Sequence, residues 1–265
     1  MKDMTISIAL ATYSGDSLDD IKKCLMSVYD WVDEIVIVYG SPEDNKTDAI
    51  KKIDAHKKIL FIFTDNPSMF HINKQKAIDA CTSDWILQLD ADEIVSSELR
   101  DEILEKIKSN PTENGFWIPR LNYFIGKPLR KGGQYPDPTI RLYRRRKGRL
   151  PCKSVHEQAD IDGKIGSLQN NLLHYPWPTI EDYINKALVR YSVLEAKQLH
   201  KEGIRPSLVN LIKYIKILPS WWFLKTYLRH RGYVDGYAGF IFSLFSALRY
   251  WITYAKLIEL SQNKD

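Results

Sequence analysis

No stretch of about 18 uninterrupted apolar residues occurs in the chain, which leaves no ordinary membrane-spanning helix in the sequence. The nearest approach, GFIFSLFSALRYWITYA at 239–255, is broken by Arg249 and by several hydroxyl side chains. Cysteine is scarce: Cys24, Cys81 and Cys152 lie far apart, match no metal-ligand spacing and form an odd set that cannot all pair within one chain. That excludes a complete disulfide framework and points to a reducing compartment. The opening MKDMTISIALATYSG carries an apolar stretch too short for the core of a signal peptide, with no small-residue cleavage site after it, so the expected location is the cytoplasm. Internal repeats, low-complexity tracts and Gly/Ser linkers are also missing.

One absence is regional. Between Glu202 and Asp235 there is no acidic residue, while Arg205, Lys213, Lys216, Lys225, Arg229 and Arg231 alternate with Tyr214, Trp221, Trp222, Phe223, Tyr227 and Tyr233. Cations interleaved with Trp and Tyr fit an amphipathic element lying in the headgroup region of an anionic leaflet. The plainer alternative is the core and rim of a helical subdomain. Nucleic acid is not expected as a partner, because no nucleic-acid motif accompanies the charge and the net excess over the whole chain is only +5.

What is present is a globular composition, 44% hydrophobic and 27% charged over 265 residues, enough for one large domain or one domain with an appendage. In the first hundred residues short apolar runs alternate with helical patterns. TISIALATY (5–13), EIVIVYG (34–40), ILFIFTD (59–65) and DWILQLD (84–90) read as strands, separated by helices at 17–32, from Thr47 to about Ala55, and near 71–81. Such βαβ units predict a mostly parallel α/β sheet covered on both faces. A helix at about 97–108 follows, then irregular β structure over 115–175, then helices from Thr179 onward, where Ile180, Tyr183, Ile184, Ala187, Leu188, Tyr191 and Leu194 form an apolar stripe. Glycines 232, 236 and 239 suggest a loop leading into a final apolar helix.

The fourth strand runs directly into charge: WILQLDADE places Asp90, Asp92 and Glu93 just beyond Trp85, Ile86, Leu87 and Leu89. Open α/β sheets bind ligands beyond the carboxyl ends of their strands. Two Asp residues two positions apart at such an edge can aim at one hard cation, Mg²⁺ or Mn²⁺, that keeps sites open for phosphate oxygens. A solvated acidic loop is the bland alternative, and the buried strand ahead of it argues against that.

Four stretches, SIALATYSGDSLDDIKKCLMSVYDWVDEIVIV, NKQKAIDACTSDWILQLDADEIVSSEL, YPDPTIRLYRRRKGR and VHEQADIDGKIGSLQNNLLHY, occur in order over about residues 5–175 and resemble the inverting, family 2 glycosyltransferases, in particular bacterial enzymes of the lipopolysaccharide-core glucosyltransferase type. The resemblance implies a GT-A fold in residues 1–177, with a Rossmann-like nucleotide-sugar-binding half (1–110) and an acceptor half (111–177), followed by a helical C-terminal extension over 178–265. It also implies a nucleotide-diphosphate sugar as donor, with UDP expected, and a glycan or lipid-linked acceptor. Mapped onto this chain, Asp90 contacts the ribose side of the donor, Asp92 binds the divalent cation, and Thr12 and Tyr13 lie beside the base. Lys74 and Lys76 fall where the family often carries basic residues facing the diphosphate, a solvated helix face being the alternative.

The family's second strand usually ends in Asp followed by Gly-Ser, whereas this chain reads Val38-Tyr39-Gly40-Ser41. The missing carboxylate leaves two substitutes: Tyr39 stacking on the base, or Asp44 reaching back. An inverting transfer needs a general base for the acceptor hydroxyl, and Glu157 in KSVHEQ stands where the resembling enzymes carry His-Glu. His156 could orient that base, contact the diphosphate, or pack. His174 in LLHYPW is a second candidate metal ligand, and Tyr135 and Arg141 are candidates for the acceptor side.

These readings converge on a metal-dependent glycosyltransferase acting from the cytoplasm, peripheral on the inner face of the plasma membrane. A degenerate, scaffolding relative is the first alternative, suggested by the missing Asp. A nucleotidyltransferase is the second, although its Gly-rich phosphate loop is poorly matched by ATYSGDSLDD.

Overall fold

The four apolar runs become four neighbouring parallel strands in a computed structural model that describes residues 4–153 and 157–262. In chain order these are β1 (Ile6–Thr12), α1 (Leu18–Met26), β2 (Glu34–Tyr39), α2 (Asn45–Lys51), β3 (Ile59–Phe63), α3 (His71–Ala80) and β4 (Trp85–Leu89). Continuous apolar sequence is what a strand buried on both faces requires, and every residue of β4 is buried. Local signals set the helix starts. Ser17 accepts from the Asp20 amide to cap α1, and Asp44 and Thr47 form a reciprocal capping box on α2.

The chain continues through β5 (Glu93–Val95), α4 (Ser97–Lys108, capped by Ser96), β6 (Gly115–Ile118), β7 (Arg120–Phe124), β8 (Lys127–Pro128), β9 (Thr139–Arg144), β10 (Gly148–Arg149), β11 (Asp160–Ile161), β12 (Ile165–Ser167) and β13 (Leu172–Trp177). A seven-stranded sheet has the order β12-β6-β9-β4-β1-β2-β3. Its β9 runs antiparallel to both β4 and β6. The fold is thus mixed but mostly parallel α/β, with a helical C-terminal region.

By internal contact the chain forms two units. One holds the residues up to Arg120 plus Pro138–His174; the other holds Leu121–Asp137 plus the chain from Tyr175. The excursion 121–137 groups with the C-terminal helices because Phe124 and Leu129 share an apolar cluster with Tyr183, Leu188 and Phe242.

In the second unit, helix runs over 180–201, 208–229 and Gly236–Gln262. Tyr183–Arg190, Lys213–Ile217 and Leu224–Arg229 are π-wound. Bonding five residues along instead of four rotates later side chains away from the α-helical register. The expected stripe is therefore only partly buried: Tyr183 and Leu188 pack inward, while Tyr191 and Leu194 are 47% and 53% exposed. The final helix closes its unit through Phe242, Tyr250, Tyr254 and Leu257. Its Gly239 lies so close to the Gly232 carbonyl oxygen that a methyl group there would overlap it. No helix among the described residues is long and apolar enough to cross a membrane.

Candidate active site

β4 delivers Asp90 to the sheet edge, and two cations meet it there. Arg141 donates from Nη2 to Asp90 Oδ2 at 2.6 Å, and Lys74, from α3, forms an ion pair with Oδ1. The Gln88 side chain adds a bond to Oδ1 at 3.2 Å. Sheet register explains Arg141: β9 pairs antiparallel with β4 as Leu87↔Leu142, so the next pair sets Arg141 opposite Gln88. Burial resists ionisation of Asp90, but Arg141 and Lys74 outweigh it and hold the carboxyl well below the usual carboxylate range. Lys74 is therefore a partner of Asp90, and it also stands 4.8 Å from the centre of the Phe70 ring.

Glu93 is the residue that sequence reasoning left without a role. Its side chain is 0% exposed. Oε2 accepts from the Asp90 amide at 2.9 Å, while Oε1 accepts from Arg141 Nη2 at 2.9 Å and Arg120 Nη1 at 3.3 Å. Glu93 thus fixes both the backbone of Asp90 and the guanidinium that holds the Asp90 side chain. Arg141 was expected on the acceptor side. It lies instead beneath the carboxylates, 7% exposed, because only a buried cation can balance Asp90 and Glu93 there. Burial works against its charge, and those two carboxylates more than restore it.

Asp92 faces His174 across 3.6 Å, from Oδ2 to Nε2. Pairing of β13 with β5 brings them together, with His174 opposite Glu93 in register. Burial pushes the Asp92 carboxyl up, the hydrogen bond and charge of His174 push it down, and the net direction is down. One carboxylate and one imidazole suit Mn²⁺ or Mg²⁺ with coordination positions left for diphosphate oxygens and water. Among the described residues no group of three or more His, Cys, Asp or Glu is placed to hold a metal ion.

Glu157 is held by the Lys153 amide at 3.0 Å, by the Cys152 amide, and by His71 Nδ1 at 3.1 Å. His71, the first residue of α3, was not singled out in the sequence, since nothing local links it to a carboxylate 86 positions away. Burial, then Lys74, lower the pKa of His71 against the opposing pull of Glu157. In the tautomer with its proton on Nδ1, His71 would donate to Glu157 Oε1. His156 lies outside the described residues.

The remaining candidates scatter. Thr12 is buried and donates to Asp16 Oδ2 at 2.7 Å, while the exposed Tyr13 gives its amide to the same oxygen. Asp16 is thus a carboxylate at the end of β1 that the sequence reading passed over. Tyr39 needs correction: it is 0% exposed and donates its hydroxyl to Asp44 at 2.6 Å, so no ring face is presented to a base. Asp44 is committed to that bond and to the α2 cap, and does not reach back. Lys76 is exposed and bonds Thr64 at 2.8 Å, apart from the Asp90 cluster. Tyr135 belongs to the second unit.

The chain is similar to known glycosyltransferases. The chain is 29% identical over 257 residues to an uncharacterized glycosyltransferase of Rickettsia typhi, covering 91% of this chain and 83% of that protein. It is 28% identical over 250 residues to the lipopolysaccharide core biosynthesis glycosyltransferase LpsC of Rhizobium meliloti, covering 93% and 87%. Among solved structures, S. aureus TarS 1–349 in complex with UDP-GlcNAc aligns with a TM-score of 0.49 at 14% identity, covering 97% of this chain and 89% of that one. The sequence model described as "Glycosyl transferase family 2" matches residues 7–158, which contain β1 but for its first residue, β2 to β4, Asp90, Asp92, Arg141 and Glu157. The chain belongs to glycosyl transferase family 2.

Proposed function

We propose that this enzyme is an inverting hexosyltransferase that moves glucose or a similar sugar from a nucleoside diphosphate donor, UDP being the expected nucleotide, to a glycan or lipid-linked acceptor of lipopolysaccharide-core type. We place it on the cytoplasmic side, peripheral to the membrane. The observation that carries this reading is the pair of differently treated carboxylates after β4: Asp90 is neutralised by Lys74 and Arg141, whereas Asp92 is left facing His174. A carboxylate fixed in place by two cations suits a contact to a neutral ribose hydroxyl, and one left partly exposed beside an imidazole suits a cation.

Asp92 and His174 would hold a divalent cation that stabilises negative charge on the departing diphosphate. Lys74 is within reach of the same region and would share that charge as the donor enters. Glu157, oriented by His71 and the two backbone amides, would take the proton of the acceptor hydroxyl. The acceptor oxygen forms its bond to the anomeric carbon as the bond from that carbon to the diphosphate oxygen breaks on the opposite face, inverting the configuration. Tyr135 remains a candidate for the acceptor side.

The missing carboxylate after β2 favours a second reading, a family member that no longer turns over. Transfer followed by NMR of the anomeric proton separates the two. The proposal expects an inverted product, and in Glu157→Gln a loss of turnover of about 10²-fold or more with donor binding kept. A retained configuration, or full turnover in Glu157→Gln, refutes the assigned mechanism.

A further inference from the structure

The helical segment 208–229 packs Tyr214, Leu218 and Trp222 inward but leaves many of its other apolar residues outside. Leu208, Val209, Ile212, Ile217, Leu224 and Leu228 are 72%, 76%, 48%, 56%, 51% and 53% exposed. Only Tyr214, Pro219 and Thr226 of this segment are buried. Single exposed leucines are ordinary, but a run of this density along one element marks an interaction surface. Trp221 is half exposed as well, with Lys225 Nζ 4.8 Å from the centre of its ring.

Charge identifies what meets this surface. Lys213, Lys216, Lys225, Arg229 and Arg231 lie along or just after the segment, and residues 203–234 contain no acid. A second copy of the chain docked symmetrically would set these cations against their own counterparts, with no carboxylate of the segment to pair them. An anionic headgroup layer supplies the opposite charge, and the acyl boundary beneath it accepts the leucines and the tryptophan.

We propose that segment 208–229 docks the enzyme on an anionic lipid bilayer, the apolar side chains entering the headgroup–acyl boundary and Lys213, Lys216 and Arg229 reading the surface charge. The surface gives the membrane-side acceptor of the proposed function a place to be met, but its argument rests on exposure and charge and not on the transfer reaction.

The test is sedimentation of the full chain with vesicles of phosphatidylglycerol and phosphatidylethanolamine, and with phosphatidylcholine alone, alongside donor titration of the same preparations. Wild type should sediment with the anionic vesicles and far less with neutral ones. Leu208→Ser/Val209→Ser/Ile212→Ser should lose that binding. Lys213→Gln/Lys216→Gln/Arg229→Gln should weaken it about a hundred-fold, at roughly five-fold per cation. All variants should keep wild-type circular dichroism and donor affinity, since the substituted side chains are exposed.

No sedimentation of wild type at low salt overturns the proposal. So does equal sedimentation of the variants, or a dimer in solution that the apolar variant converts to monomer. Vesicle binding without donor binding would fail the enzymatic reading alone, and donor binding without vesicle binding would fail this one.

Discussion

Glu93→Ala removes the acceptor on which the Asp90 amide, Arg141 and Arg120 converge, all within a site where Glu93 itself has no solvent exposure. Removing one member of a buried ion pair costs about 3–5 kcal/mol because the other charge is left uncompensated. Arg141 keeps Asp90 as a counter-charge, which sets the pair loss near about 3 kcal/mol. The orphaned Asp90 amide adds about 1 kcal/mol. A total of about 4 kcal/mol corresponds to a fall in Tm of about 8–16 °C for a chain of this size. Glu98→Ala, an exposed acid in the first turn of α4, should stay within about 0.5 kcal/mol. Denaturant and thermal unfolding give the comparison, and donor titration of the same variants should show weakened binding as Asp90 loses its fixed position. A Glu93→Ala protein destabilised by less than about 1 kcal/mol would refute the claim that Glu93 is the anchor of the site.

Other perturbations separate structure from chemistry. Asp92→Ala touches a partly exposed contact at 3.6 Å, so it should shift stability by less than about 1 kcal/mol while removing metal-dependent donor binding, read by calorimetry. Arg141→Lys keeps the charge but not the fork that reaches both Asp90 and Glu93, and should destabilise by about 2–3 kcal/mol in urea titration. His71, whose folded pKa lies below its unfolded value near about 6.5, binds fewer protons folded than unfolded between those two values. Stability should thus be undiminished above about pH 6.5 and decline as pH falls below it, with a shallower slope in His71→Gln. Equal slopes would remove His71 from the account. Tyr39→Phe should cost about 1 kcal/mol through the lost bond to Asp44 and leave donor affinity unchanged; weakened donor binding would restore Tyr39 to the site.

The first hundred residues were legible because their signals are local. Strands covered on both faces have to be apolar throughout, so β1, β2 and β4 were visible as runs, and Ser17 and Thr179 marked helix starts through bonds to amides three residues on; the cap of α2, Asp44, lies three residues before the Thr47 expected to lead that helix. The pair Asp90 and Asp92 was visible for the same reason, as charge at the abrupt end of a buried strand. What could not be read depends on distant segments. Glu93 is stabilised by Arg120 and Arg141, respectively 27 and 48 residues on, and His71 meets Glu157 across 86. Tyr39 carries the same lesson in reverse: an aromatic residue at a ligand-binding strand end was available for stacking on paper, yet burial and Asp44 consume it. The π-wound turns of the C-terminal helices have no sequence signature comparable to a cap, and they moved Tyr191 and Leu194 outward from a stripe drawn on α-helical spacing.

Calorimetric titration of the purified chain with a panel of UDP-sugars, with Mn²⁺ and with a chelator, on wild type and Asp92→Ala, decides whether Asp92 binds a cation for a nucleotide-sugar donor. Saturable binding of one sugar nucleotide that requires the cation and is abolished by Asp92→Ala is the expected result. Binding of no sugar nucleotide at all, or binding indifferent to both the chelator and the substitution, would contradict it.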